Sequence, residues 1–166
     1  MKIKSLLGIG LFGLMFTSCG KSHFLATDLT IPVIHAIQDN DYEDLASMLP
    51  NTDNVNAIFA GNTGNLGPNY YNKYTSSYRV LSMKTGLYTD MELIQDISKS
   101  NGLNWDDVQI GGVEKEEVSD STTSYTKVTA NLLFPKGGEY TLSYNTIQHH
   151  GIWYLLDDVS FRRREN

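Results

Sequence analysis

An α+β domain, helices first and an antiparallel sheet after them, is the fold class this chain predicts, and three observations carry it. Up to about residue 100 the apolar residues recur at helical spacing. From Trp105 onward they alternate with a period of two, and the alternating runs are divided by short turn-forming segments rather than by helices. Consecutive strands joined by tight turns pair antiparallel, and helices gathered before them cover one face of the sheet. The chain has 166 residues, which after a leader leaves the usual size of one domain with one core.

The leader comes first. In MKIKSLLGIGLFGLMFTSCGKS, Lys2 and Lys4 form a basic start, and Leu6 to Phe16 form an apolar run shorter than the roughly 20 residues a spanning helix needs. This is the pattern of an export signal. It ends in Phe16-Thr17-Ser18-Cys19-Gly20, which resembles the lipobox of bacterial lipoproteins, in the looser form common in Bacteroidetes, with Phe16 where Leu is usual. That resemblance implies cleavage before Cys19 and a lipid on its thiol: residues 1–18 a signal peptide, 19–26 a lipidated tether, 27–166 the domain. The plainer alternative is an ordinary signal peptide that happens to contain a cysteine. Cys19 is the only cysteine, so no internal disulfide forms and the core must hold the fold. Several acyl chains on one cysteine anchor a protein in practice irreversibly, so the expected location is the bacterial cell envelope, at the outer membrane or cell surface.

The domain opens with two short helices. Thr30 is placed to cap the first, with Pro32 in its first turn and Val33, Ile34 and Ile37 on one face. Asp41 caps the second, with Asp44 three residues on and Leu45, Met48 and Leu49 at helical spacing before Pro50 stops it. Val55, Ile58 and Phe59 suit a third helix after caps at Asn51 to Asp53, whereas GNTGNLGPN is loop-forming. In YYNKYTSSYRVLSM, Tyr70, Tyr71, Tyr74 and Tyr78 suit a helix face, although the Thr and Tyr content equally suits a strand. Thr89 and Glu92 form a capping box, which predicts a helix from Asp90 to about Ser100 with Leu93, Ile94 and Ile97 inward. Four strands follow: VQIGGVEKEEV, SYTKVTANLLF, GEYTLSYNTIQ and GIWYLLDDVSF.

With these elements in place the chain resembles the nuclear transport factor 2-like, or cystatin-like, superfamily. The resemblance rests on AIQDNDYEDLASML, similar to that superfamily's opening helix, on SYTKVTANLLF, and on YTLSYNTIQHHGIWYLLDDVSF, similar to its closing hairpin. It implies a cone: a strongly curved sheet wrapped on helices, often with a cavity and often dimerising through the open sheet face. Catalytic members place an Asp or His base and a Tyr or Asp partner inside the cone, and many others, small secreted lipoproteins among them, have no known chemistry.

The formal net charge of −6 becomes more acidic once Lys2 and Lys4 are cleaved away, which argues against nucleic acid, whose phosphates need a Lys/Arg footprint. Arg162-Arg163-Arg164 reads as a solvated terminal run. HHGIWYLLDD looks at first like a metal set. In one extended strand, however, His150 and Asp157 stand roughly 20 Å apart at about 3.3 Å per residue, too far to share an ion, and neighbouring histidines in a turn point to opposite sides. A turn and a core strand is the favoured reading, with no metal and no cofactor.

His35 is the candidate base, weighed against a core or boundary histidine. Tyr70, Tyr71, Tyr74 and Tyr78 are the candidate ligand or partner surface, weighed against core packing, because tyrosines beside Asn and Ser can stack on a ring and bond hydroxyls. The expectation is a membrane-tethered, non-catalytic module for a small apolar or sugar-like ligand or another envelope protein. The alternatives are a small isomerase, dehydratase or hydrolase using a base inside the cone, and a structural homodimer.

Overall fold

The computed structural model describes residues 25–60, 73–119, 124–156 and 158–164. The order is α1 (Thr30–Gln38), α2 (Tyr42–Ser47), α3 (Thr52–Ala60), α4 (Lys73–Ser100), then β1 (Gln109–Ser119), β2 (Ser124–Phe134), β3 (Gly138–His149), β4 (Ile152–Leu155) and β5 (Ser160–Arg163). Short 3-10 turns at Ala26–Leu29 and Trp105–Asp107 precede the helices and the sheet. The α+β architecture is as the change of period predicts.

Local chemistry sets the starts of α2 and α3. The Asp41 carboxylate accepts from the Asp44 amide at 2.9 Å, and Asn51 does the same for Asn54 at 2.8 Å, each satisfying a first-turn N–H that has no helical partner. Thr30 does not cap. It is the first residue of α1, buried, and its hydroxyl bonds the Tyr144 hydroxyl at 2.7 Å. The capping box at Thr89 is likewise not used. α4 runs unbroken from Lys73 to Ser100, and the Thr89 hydroxyl donates back to the Thr85 carbonyl at 3.1 Å, the arrangement a mid-helix threonine adopts. Its inward side chains are Met83, Leu87, Met91 and Ile94; Leu93, expected inward, is 58% exposed.

The sheet is open, curved and antiparallel, with β1, β2 and β3 in sequence order. The fourth run is not one strand. β4 pairs with Thr146 to His149 and β5 with Tyr140 to Ser143, so both lie along the same edge of β3. Asp158 between them has φ of 61°, a left-handed turn conformation that Asp tolerates better than most residues.

Alternation puts Val128, Ala130, Leu132 and Phe134 of β2 with Tyr140, Leu142 and Tyr144 of β3 on the core face, all buried. Val33 and Ile37 of α1, Leu45 of α2 and the α4 row close over them, at roughly 1.5–3 kcal/mol for each large side chain buried. The opposite face carries Lys127, Thr129, Ser143 and Asn145, with the Thr129 and Ser143 hydroxyls 3.1 Å apart.

Candidate functional site

The two ends of the sheet finish differently. At the end where β2 turns into β3, Trp105 packs on Phe134 and Phe161 at 5.2 and 5.4 Å between centroids, and Tyr140 stacks on Phe161 at 4.8 Å. Trp105 donates its indole N–H to the Ser98 hydroxyl at 2.9 Å, which in turn donates to the Ile94 carbonyl at 2.6 Å. Gly137 closes this end. A side chain there would run into Leu103, and the Gly137 amide donates to the Phe134 carbonyl at 3.0 Å.

The other end is open. Counting outward along the core face, the last covered row is Thr126, Thr146 and Leu155, all buried. One step further in the same parity, Ser119 pairs with Ser124 on one side and Gln148 with Trp153 on the other. Ser119, Ser124 and Gln148 are exposed and Trp153 is half-buried. A cleft of about 260 Å³ opens here, walled by Glu117, Ser119, Ser124, Gln148 and Trp153, with Tyr125 from the adjacent row. The Ser119 and Ser124 hydroxyls lie 2.8 Å apart. One of them donates to the other, which leaves a donor and lone pairs for a guest. The Gln148 amide offers two donors and an acceptor, and the Glu117 carboxylate offers acceptors only. No Lys or Arg is among the described residues of this wall. The arrangement is an aromatic side chain edged by neutral hydrogen-bonding groups and one carboxylate.

Beside the cleft is the β3–β4 hairpin turn. His149 and Ile152 are paired, and the two residues between them, His150 and Gly151, have φ of 50° and 78°. Both positive values mark a type I′ turn, whose twist suits a two-residue hairpin. The turn was expected; the ring geometry was not. The His149 and His150 rings lie 4.0 Å apart instead of pointing to opposite sides. Desolvation, followed by the positive charge His150 can carry, holds His149 below the usual histidine range.

A second cleft of about 210 Å³ lies toward the closed end, where Gly111, Asn131, Leu133 and Glu139 meet Arg164. The Arg164 guanidinium stands 3.4 Å from the Glu139 carboxylate, both about half-exposed, a pair of little energetic weight.

His35 is exposed on α1 between buried Ile34 and Ala36, a boundary position rather than a core one. Tyr78 is 72% exposed on α4, which excludes core packing for that residue. Tyr74 lies within α4, while Tyr70, Tyr71, Asp157 and Cys19 lie outside the described residues. Among the described residues no three His, Cys, Asp or Glu side chains gather in a way that could hold a metal, and no helix is long and apolar enough to cross a membrane. Glu117, Gln148 and Trp153 are missed by sequence reasoning. The signal that finds them is strand register: each sits one or two rows beyond the last apolar pair.

Comparison with protein-family models, with curated proteins and with solved structures finds no match for this chain.

Proposed function

We propose that this chain is a lipid-anchored, non-catalytic binding module of the bacterial cell envelope, with a nuclear transport factor 2-like domain that takes its guest at the open end of the sheet. The observation that carries the binding reading is the cleft beside Trp153: an aromatic side chain half-buried at the end of a sheet whose opposite end is sealed. Ligand sites are concave, with apolar walls and a few placed polar groups, and this cleft has that composition. The lipobox-like Phe16 to Gly20 supports the anchor. Helices covering one face of a curved antiparallel sheet support the superfamily reading. The exposed His35 gives no support to an enzyme using it as an interior base. The polar Thr129, Ser143 and Asn145 face favours a cleft over a broad dimer interface, since interface cores are apolar.

The anchor is tested by expressing the full chain in a bacterium and partitioning cell extracts with a phase-separating detergent. The wild type should enter the detergent phase, and Cys19→Ala should move it to the aqueous phase or leave its signal uncleaved. The binding half is tested by native mass spectrometry of the protein released from the same envelope. A retained adduct lost in Trp153→Ala supports the cleft, and an adduct indifferent to that change removes it.

A further inference from the structure

Resting on that reading, we infer that the guest of the open-end cleft is a neutral sugar, one pyranose ring of a glycan seated on Trp153. Four features of the cleft select it. An aromatic face attracts positively polarised C–H groups through its quadrupole, and the axial hydrogens of a pyranose present such a face. Around Trp153 the core-face parity places Gln148, Ser119, Ser124 and Glu117, and these groups suit hydroxyls, each of which both donates and accepts. The volume of about 260 Å³ lies just below the roughly 300–1,000 Å³ of pockets that hold drug-sized ligands, which fits one ring with the rest of the chain outside. Finally, the wall has a carboxylate and, among the described residues, no cation, so an acidic sugar would meet Glu117 unpaired.

A long-chain acid fits worse. Its tail would leave the Gln148 amide and the serine hydroxyls facing hydrocarbon without partners, a loss that sites built for hydroxyls use to reject apolar analogues.

The chain carries its own reporter. It has two tryptophans, and Trp105 is 7% exposed in the sealed end, so a change in emission on adding ligand comes from Trp153. The experiment titrates the full chain, purified from a bacterial envelope in a polyoxyethylene detergent that carries no sugar. Gluco-, xylo-, manno- and N-acetylglucosamine oligosaccharides are tested beside oligogalacturonate and a long-chain fatty acid. At least one neutral series should give a saturable change. Trp153→Ala, followed by calorimetry because it removes the reporter, should weaken binding about tenfold or more, the equivalent of one good contact, and Trp153→Phe should restore most of it. Oligogalacturonate should fail with the wild type and improve with Glu117→Gln. Each variant is checked for unchanged melting.

No saturable response to any neutral sugar overturns the inference. So does binding that Trp153→Ala leaves untouched in a folded protein. Saturation by the fatty acid alone overturns the sugar and leaves the binding module standing, whereas an empty cleft in every titration and no adduct in the mass spectrum removes both.

Discussion

Each end of the sheet has a tryptophan, and the two are used in opposite ways. Trp105, on a 3-10 turn, is 7% exposed, wedged among Phe134, Phe161 and Ser98. Trp153, on β4, is half-buried and lines a cleft with hydroxyl and amide groups. The path of the chain after the last helix makes the difference. α4 ends at Ser100, and the turn after it brings Leu103 and Trp105 onto the β2–β3 end, while no described segment continues over Ser124 and Gln148. One end of the sheet is packed shut, and the other carries an open cleft.

The largest effects should come from breaking the sealed end. Trp105→Ala or Phe161→Ala removes an aromatic from a packed cluster and should cost about 3–5 kcal/mol, lowering Tm by roughly 10 °C or more. Gly137→Val should act in the same direction by driving a side chain into Leu103. Thermal melting checks all three. If Trp153→Ala costs as much as Trp105→Ala, the two ends are not different in kind.

Next in size is the hydroxyl pair under α1. Burial is the main force pushing the Tyr144 phenol well above its ordinary range; the Thr30 hydrogen bond acts against that rise, and the charge of Asp28 adds to it. Tyr144→Phe should cost about 1–2 kcal/mol by leaving Thr30 without its partner. With the folded pKa raised, the contribution is fully present below the unfolded value of about 10 and is lost as pH climbs beyond it. The wild type should therefore lose stability above pH 10 more steeply than Tyr144→Phe, as denaturant titrations across that range would show.

The same contrast between the two ends explains what a sequence can disclose. The change of period at Trp105, the cap at Asp41 and the turns at Gly137 and Gly151 are local signals, and each stands where the pattern predicts it. Burial depends on partners distant in sequence. Trp153 reads as core because its run is apolar on both faces, and Leu155 and Leu156 are indeed buried, but Trp153 stands one row further out, packed against the edge of the core and only half-buried. GIWYLLDDVSF reads as one strand because nothing in its composition shows that Asp158 turns left-handed and lets β5 begin a second pairing. Thr89 reads as a cap because its capping-box pattern is strong, but the helix passing through it packs Met83, Leu87 and Met91 on the sheet, and tertiary burial outweighs a cap of about 1 kcal/mol.

The smallest expected effect sharpens the open end itself. His149 is held below the usual histidine range by desolvation first and by neighbouring His150 second. A base with a lowered folded pKa binds its proton more weakly folded than unfolded, so its share of stability is present above the unfolded value of about 6.5 and is lost as pH falls through the depressed folded one. Both rings border solvent, so screening keeps this share small. Chemical-shift titration should show the His149 imidazole titrating below the usual histidine range. His150→Asn, which also suits the left-handed turn position, should raise the His149 midpoint and flatten the acid-side loss of stability. A midpoint that stays where it was would leave desolvation by the strand as the sole cause and make the 4.0 Å ring contact electrostatically idle. A shift would show that the charge of His150 reaches His149 across that contact.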